Sequence, residues 1–246
     1  MKTLRFFLMM LGVVCIAMTF QSCLDDDDTY WTYRYPNALV TVKPLSDNSF
    51  FLQLDDSTTL LPVNINSSPF GNKEVRALIN FYEVNQPSEG YDKAVQINWI
   101  DSILTKQIAP DLGTNNDSIY GTDPVEIIND WVTIAEDGYL TLRFRTAYGE
   151  HNKAHFVNLL AGINPSNPYE IEFRHNAYGD IYGPNGDGLV AFSLDSLPDT
   201  EGKTVKLKLK WKSFSGDKSA EFNYCTRKST PANSAIADEK SILNLK

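Results

Sequence analysis

Three histidines, His151, His155 and His175, are the residues best suited to acid–base or metal chemistry, because imidazole changes charge near neutral pH and ligates metals when neutral. His155 stands in line with Val157 and Leu159, and His175 with Ile171 and Phe173, so each continues the apolar face of a strand. The loop at 161–168 joins those strands. Antiparallel pairing with matched faces predicts Leu159 opposite Ile171, Val157 opposite Phe173 and His155 opposite His175. Two imidazoles make half a zinc site, and no third ligand stands out. His151 and His155 have the four-residue spacing of a helical zinc motif, but its glutamate is missing and the pair lies at a strand start. Buried or half-buried structural histidines are the expectation, with no metal and no cofactor; a hydrolase using His155 or His175 with an acid such as Asp180 is the alternative.

The segment 179–188 (GDIYGPNGDG) gathers Asp180, Asn185 and Asp187 among glycines, without the ligand spacing or closing glutamate of a calcium loop. It reads as a long polar hairpin loop, and Tyr178, Asp180 and Tyr182 make it a candidate ligand-contact surface. No serine occupies a nucleophile elbow, and no strand-to-helix glycine loop offers a phosphate cradle, so no catalytic residue is assigned. Tyr30, Trp31, Tyr33 and Tyr35 read as packing for the entry strand, with stacking on a sugar or peptide as the alternative.

The elements that must position these groups are strands. No stretch sustains a helical period, and strand-like segments bounded by turn residues fill the chain after residue 34, so the protein is all-β. Strands are expected at 38–43, 49–54, 74–84 and 94–108, a number that suits a small barrel. Val75, Ala77, Ile79 and Phe81 form an apolar face, and Val95, Ile97 and Trp99 a second inward row. Residues 131–135, a turn at Glu136-Asp137-Gly138 and 139–145 predict a hairpin. Val132 and Ile134 should share its core face with Leu140, Leu142 and Phe144, leaving Tyr139, Thr141, Arg143 and Arg145 outside. Lys206, Lys208, Lys210 and Lys212 alternate with Val205, Leu207, Leu209 and Trp211, a lysine face expected on a solvated or edge strand. The Asp-, Gly- and Asn-rich run between Pro110 and Pro124 divides a first domain at 35–110 from a second at 124–228, with 111–123 as linker and 229–246 as tail.

At the N-terminus, Lys2 and Arg5 precede an apolar stretch at 6–20, then Gln21, Ser22 and Cys23. This is the pattern of a lipoprotein signal, residues 1–22, with Cys23 as the lipidation site and a membrane as its partner. Asp25, Asp26, Asp27 and Asp28 make residues 23–34 an acidic spacer that resists collapse. The signal holds two of the 22 basic residues and none of the 31 acidic ones, which leaves eleven more acids than bases in the remainder. That balance excludes general nucleic-acid binding. Cys15 leaves with the signal and Cys23 is blocked by lipid, so Cys225 stands alone and the core must hold without an intrachain disulfide.

The acidic spacer, the strand VQINWIDSILTKQI, and the later elements DGYLTLRF, HFVNLL, FRHNAYGD and VAFSLDSLP together resemble NigD-like lipoproteins over nearly all of the mature chain. The resemblance implies a small OB-like barrel followed by an antiparallel β-sandwich. It also implies that the aspartates 25–28 act as an export signal, with the protein lipid-anchored in the outer membrane and displayed at the cell surface. A non-enzymatic binding or accessory module for a glycan, peptide or envelope protein is then expected, with bacteriocin immunity or envelope protection as the alternative that the family name suggests. No catalytic residues come with it.

Overall fold

The computed structural model describes residues 34–227 and a short strand at Ala235–Ile236. Cys23, Asp25, Asp26, Asp27 and Asp28, the signal segment 1–22 and the cluster Tyr30, Trp31 and Tyr33 lie outside the described residues. So does the tail apart from that strand. Among the described residues no helix is long and apolar enough to cross a membrane.

Strands β1 (Ala38–Pro44), β2 (Phe50–Gln53), β3 (Thr59–Pro62), β4 (Lys73–Glu83) and β5 (Lys93–Ser102) are hydrogen-bonded in the order β1-β2-β3-β5-β4, and β4 returns to β1, closing a barrel. Only β3 and β5 pair in parallel. Period-2 alternation turns Val40, Val42, Leu52, Leu60, Val75, Ala77, Ile79, Val95 and Ile97 into one interior cluster. The expected inward row on β5 breaks at its third member. A bulge leaves Asn98 unpaired between Phe81↔Ile97 and Asn80↔Trp99, so Ile100, opposite Ile79, takes the inward place of Trp99.

The strand expected at 94–108 divides at Ile103. Its second part, β6 (Leu104–Gln107), leaves the barrel and pairs in parallel with β12 (Asn185–Ser193) of the sandwich. The chain continues through a 3₁₀ turn, Gly113–Asn115, and one helical turn, α1 (Asn116–Tyr120), into β7 (Glu126–Ile127), β8 (Ile134–Glu136) and β9 (Tyr139–Ala147). One sheet runs β6-β12-β9-β7, with β8 also on β9. The other contains β10 (Phe156–Leu160), β11 (Glu170–Asn176), β13 (Val205–Ser213) and β14 (Gly216–Tyr224) in that order. Pairing is antiparallel apart from β6/β12 and β11/β13; the second pair is parallel because β12 crosses to the opposite sheet between β11 and β13. Leu140, Leu142, Phe144, Val157, Leu159, Phe173, Phe192, Leu207 and Leu209 fill the space between the sheets. The last strand, β15 (Ala235–Ile236), lies parallel to β4 at Lys73 and Glu74, within the segment expected as tail.

Two expectations about β9 change. The hairpin turn has two residues, Asp137 and Gly138, at φ 46° and 75°, the conformation a two-residue hairpin with right-handed strand twist requires. Ile134 therefore faces Thr141, and it joins Val132 beside Tyr139, Leu39, Ile103 and Ala191 in a separate cluster. Tyr139 and Thr141 are not outside: both are fully buried, because the barrel covers that half of the sheet, while Arg143 and Arg145 further along stay at the surface. The lysine face is as patterned, but β13 is an interior strand, flanked by β11 and β14.

Candidate functional site

The structure brings two of the three histidines together. β10 and β11 pair as expected in direction and face but shifted by two residues, Leu159 opposite Phe173 and Val157 opposite His175. An even shift keeps every side chain on its face. His155, just before β10, then reaches across, and its Nδ1 lies 3.0 Å from His175 Nε2, while its Nε2 lies 3.1 Å from Asp180 Oδ2. All three residues are buried. An ionised carboxylate only accepts, so His155 donates from Nε2 to Asp180; the contact between His155 Nδ1 and His175 Nε2 uses one nitrogen of His175 and leaves its Nδ1 without a partner among the described residues. Burial, reinforced by His155, lowers the His175 pKa to about 4 against an opposing pull from Asp123. For Asp180, burial alone would raise the carboxyl, but the N–H groups of Glu150 and Gly149 and the bond from His155 hold it below the usual range.

The string Asp180–His155–His175 can hold and orient protons, but at Asp180 and His155 it is sealed from solvent. Asp180 is thus turned inward, bracing the turn at 149–150 against the loop that carries Tyr178 and Tyr182. Those two tyrosines are exposed, and Tyr178 meets Phe156 edge-on with ring centres 5.2 Å apart. His151 is not part of the string; it packs near Tyr148 at the surface. Asp187, expected in the polar loop, lies in β12 and binds Arg143 and Arg145. Among the described residues no group of three His, Cys, Asp or Glu side chains is arranged to hold a metal ion. Cys225 is a half-buried free thiol 3.6 Å from Thr200 Oγ1.

A second charged cluster, not foreseen from the sequence, seals the junction between barrel and sandwich. Arg76, fully buried on the outer face of β4, donates to Thr41 Oγ1 at 2.9 Å, to Thr141 Oγ1 at 3.4 Å and to Glu136 Oε1 at 2.6 Å. Lys43 Nζ lies 2.9 Å from Asp137 Oδ1. Glu74 accepts from Tyr139 at 2.7 Å and from Arg227, whose guanidinium also lies over the Tyr139 ring. Burial pushes the Glu136 carboxyl up against the pull of Arg76. Apart from Asp137 Oδ2, which has no hydrogen-bond partner among the described residues, these groups are paired with one another, which makes the cluster a structural joint.

The open site is on the barrel. The β1–β2 loop and the β4–β5 loop frame a cleft of about 690 Å³. Leu45, Phe50, Leu61, Val63 and Ile65 give it an apolar floor, and Asp47, Ser49, Asn66, Gln86, Glu89 and Tyr91 a polar rim. Hydrogen bonds from Ser49 hold the Asp47 carboxyl below the usual range; burial, then the charges of Asp47 and Glu89, push the Tyr91 hydroxyl up. Sequence reading passed over these residues, although the runs DNS at 47–49 and NQPSEGY at 85–91 concentrate polar and aromatic groups between strands.

A closed five-stranded OB barrel packed on a β-sandwich defines a two-domain β scaffold protein. Residues 39–103 match the NigD-like N-terminal OB domain and residues 107–224 the NigD-like C-terminal beta sandwich domain. The chain belongs to the NigD-like family. Among solved structures it is similar to a protein of Parabacteroides distasonis described as toxin-related, at 40% identity and a TM-score of 0.66, over 77% of this chain and 92% of that one. A NigD-like immunity protein of Bacteroides caccae, at 21% identity and TM-score 0.56 over 76% and 96%, shares the fold. So does a protein of Bacteroides fragilis described as a lipoprotein, at 12% identity and TM-score 0.55 over 78% and 98%. No curated protein matches the chain.

Proposed function

We propose that this protein is a lipid-anchored, non-enzymatic binding module of the outer membrane that holds a glycan in the barrel cleft. The observation that carries the reading is the cleft itself, an apolar floor with a rim of carboxylates, amides and a tyrosine. Among the described residues no lysine or arginine lines it, so it suits a polyhydroxylated ligand and not a phosphate backbone. The loops that frame it occupy the positions at which OB barrels bind oligosaccharides and oligonucleotides, which is support by analogy of fold. The exposed Tyr178 and Tyr182 offer a second contact surface on the sandwich.

Anchoring rests on Cys23 and display on the run Asp25 to Asp28. Mass spectrometry of the membrane fraction should find acyl chains on Cys23, and Cys23→Ser should release the protein. The full chain in detergent, probed on a glycan array, should bind a defined glycan, and Tyr91→Ala should weaken that binding about tenfold or more, the loss of one buried ring contact. An array without any binder would end the reading. Protection against a bacteriocin is the second reading, favoured by the descriptions of the Bacteroides caccae and Parabacteroides distasonis proteins. Unchanged sensitivity after gene deletion would remove it.

A further inference from the structure

The barrel cleft carries a charge that its own walls leave unmatched. Asp47 lines it from the β1–β2 loop and Glu89 from the β4–β5 loop, and no lysine or arginine stands among the lining residues. The lysines of the flanking strands are engaged elsewhere, Lys43 with Asp137 at the junction and Lys93 with Glu83 on the barrel wall. What holds the Asp47 carboxyl below the usual range is Ser49, through its hydroxyl and its backbone N–H, and not a cation. Both carboxylates act on one ring: after burial, the charges of Asp47 and Glu89 are what push the Tyr91 hydroxyl up.

These groups are held in position without a ligand. Asp47 Oδ1 accepts from the Ser49 N–H at 3.0 Å and from Ser49 Oγ at 2.5 Å, and a bond of 2.7 Å from the Leu45 N–H to the Ser49 carbonyl closes the same turn. In the facing loop Glu89 stands at φ 51°, inside a turn closed at 2.9 Å by the Tyr91 N–H on the Ser88 carbonyl. Phe51 backs the Tyr91 ring, with ring centres 5.2 Å apart. Little ordering is left for binding to impose.

The floor and rim exclude some occupants. An anion would meet two like charges, and among the described residues no group of three His, Cys, Asp or Glu side chains is arranged to hold a metal ion. A neutral sugar would use the apolar floor and the amides but leave both carboxylates without a counter-charge. We propose that the glycan in the barrel cleft is an amino sugar with its amine free, the ammonium group received by Asp47 and Glu89 while ring hydroxyls meet Ser49, Asn66 and Gln86. The inference rests on the reading of this cleft as a glycan site and adds the charge of its ligand. An ammonium group donates three charge-assisted hydrogen bonds, roughly twice as strong as neutral ones, and the apolar floor receives the less polar face of the ring.

Calorimetric titration of the full chain in non-ionic detergent at about pH 6, where the carboxylates are ionised and an amine is protonated, tests this with three matched sugars: the β-1,4 dimer of glucosamine, its N-acetylated form and cellobiose. The glucosamine dimer should saturate the protein, and the other two, which lack the charge, should bind about tenfold more weakly or worse, the worth of one charge-assisted hydrogen bond. Asp47→Asn and Glu89→Gln, both changes of exposed side chains, should each weaken the glucosamine dimer about tenfold and leave the neutral sugars as they were. Tyr91→Ala should weaken all three alike. Equal affinity for the three sugars that Tyr91→Ala still weakens would end the charge inference and leave the glycan reading standing, whereas a glycan array without a binder would end both. No saturation by the glucosamine dimer at about 10 mM, an affinity too weak for a specific site, unaltered binding in both charge variants, or tighter binding of Nα-acetyl-lysine amide, which would make the cleft a peptide site, would also overturn the proposal.

Discussion

The junction between barrel and sandwich and the cleft where β11 and β13 part both bury polar atoms: the junction leaves only Asp137 Oδ2 without a hydrogen-bond partner among the described residues, whereas at the cleft His175 Nδ1 and Trp211 Nε1 both go without one. At the junction Arg76 alone makes three hydrogen bonds, and Glu74 accepts two from neighbours on the other body. Burial of a polar group costs about the same wherever it occurs, roughly 1–3 kcal/mol if it is unpaired. A paired cluster thus serves the fold, whereas an unpaired atom is a standing cost to it.

The largest expected effect breaks the junction. Arg76→Ala should destabilise the protein by about 3–5 kcal/mol in denaturant unfolding, because Glu136 is left buried without its counter-charge. Replacing both as Arg76→Met with Glu136→Leu should recover most of that loss; if the double variant is no better than the single, pairing is not what makes Arg76 matter.

Next in size is the pH dependence that His175 imposes. Its folded pKa of about 4 lies below the unfolded value of about 6.5, so between those values the unfolded chain takes up a proton that the folded chain refuses. Stability is fully present above about pH 6.5 and falls toward pH 4 by about 3 kcal/mol. His175→Phe should flatten that limb of the stability curve, and a curve that keeps its slope would place the titration elsewhere.

Tyr139→Phe should cost about 1–2 kcal/mol, since it removes a buried hydroxyl bonded to Glu74 while Arg227 keeps its own bond to that carboxylate. The smallest change is expected at the cleft rim. Lys212→Gln should leave the unfolding free energy within about 0.5 kcal/mol of the parent, because the side chain it alters is exposed. A loss as large as that of Tyr139→Phe would mean that the cleft, like the junction, is structural.

Much of the local structure was legible. Alternation at Val75, Ala77 and Ile79 marked a barrel wall, and the same period separated the lysines of β13 from Leu207, Leu209 and Trp211. The faces of His155 and His175 were legible as well, but their opposition was off by two residues, because a match of apolar faces is satisfied by any even shift and loop length does not choose among them. Tyr139 and Thr141 were read as exposed because they alternate with the core in step with Arg143 and Arg145. Period 2 separates two faces without saying what covers the second. The lack of charge at positions 139 and 141 was the one available hint.

What the sequence by itself determined is the all-β class, many of the longer strands and the inward face of most of those, the lipoprotein-like start and the absence of any intrachain disulfide after it. These follow from neighbours in the chain, through side-chain alternation and residue chemistry. Only the tertiary structure decided that Asp180 meets His155, that Arg76 is buried, and that Trp211 and His175 share a cleft with Lys212. Each of those depends on which non-adjacent strands lie together, and that is settled by packing between residues far apart in sequence.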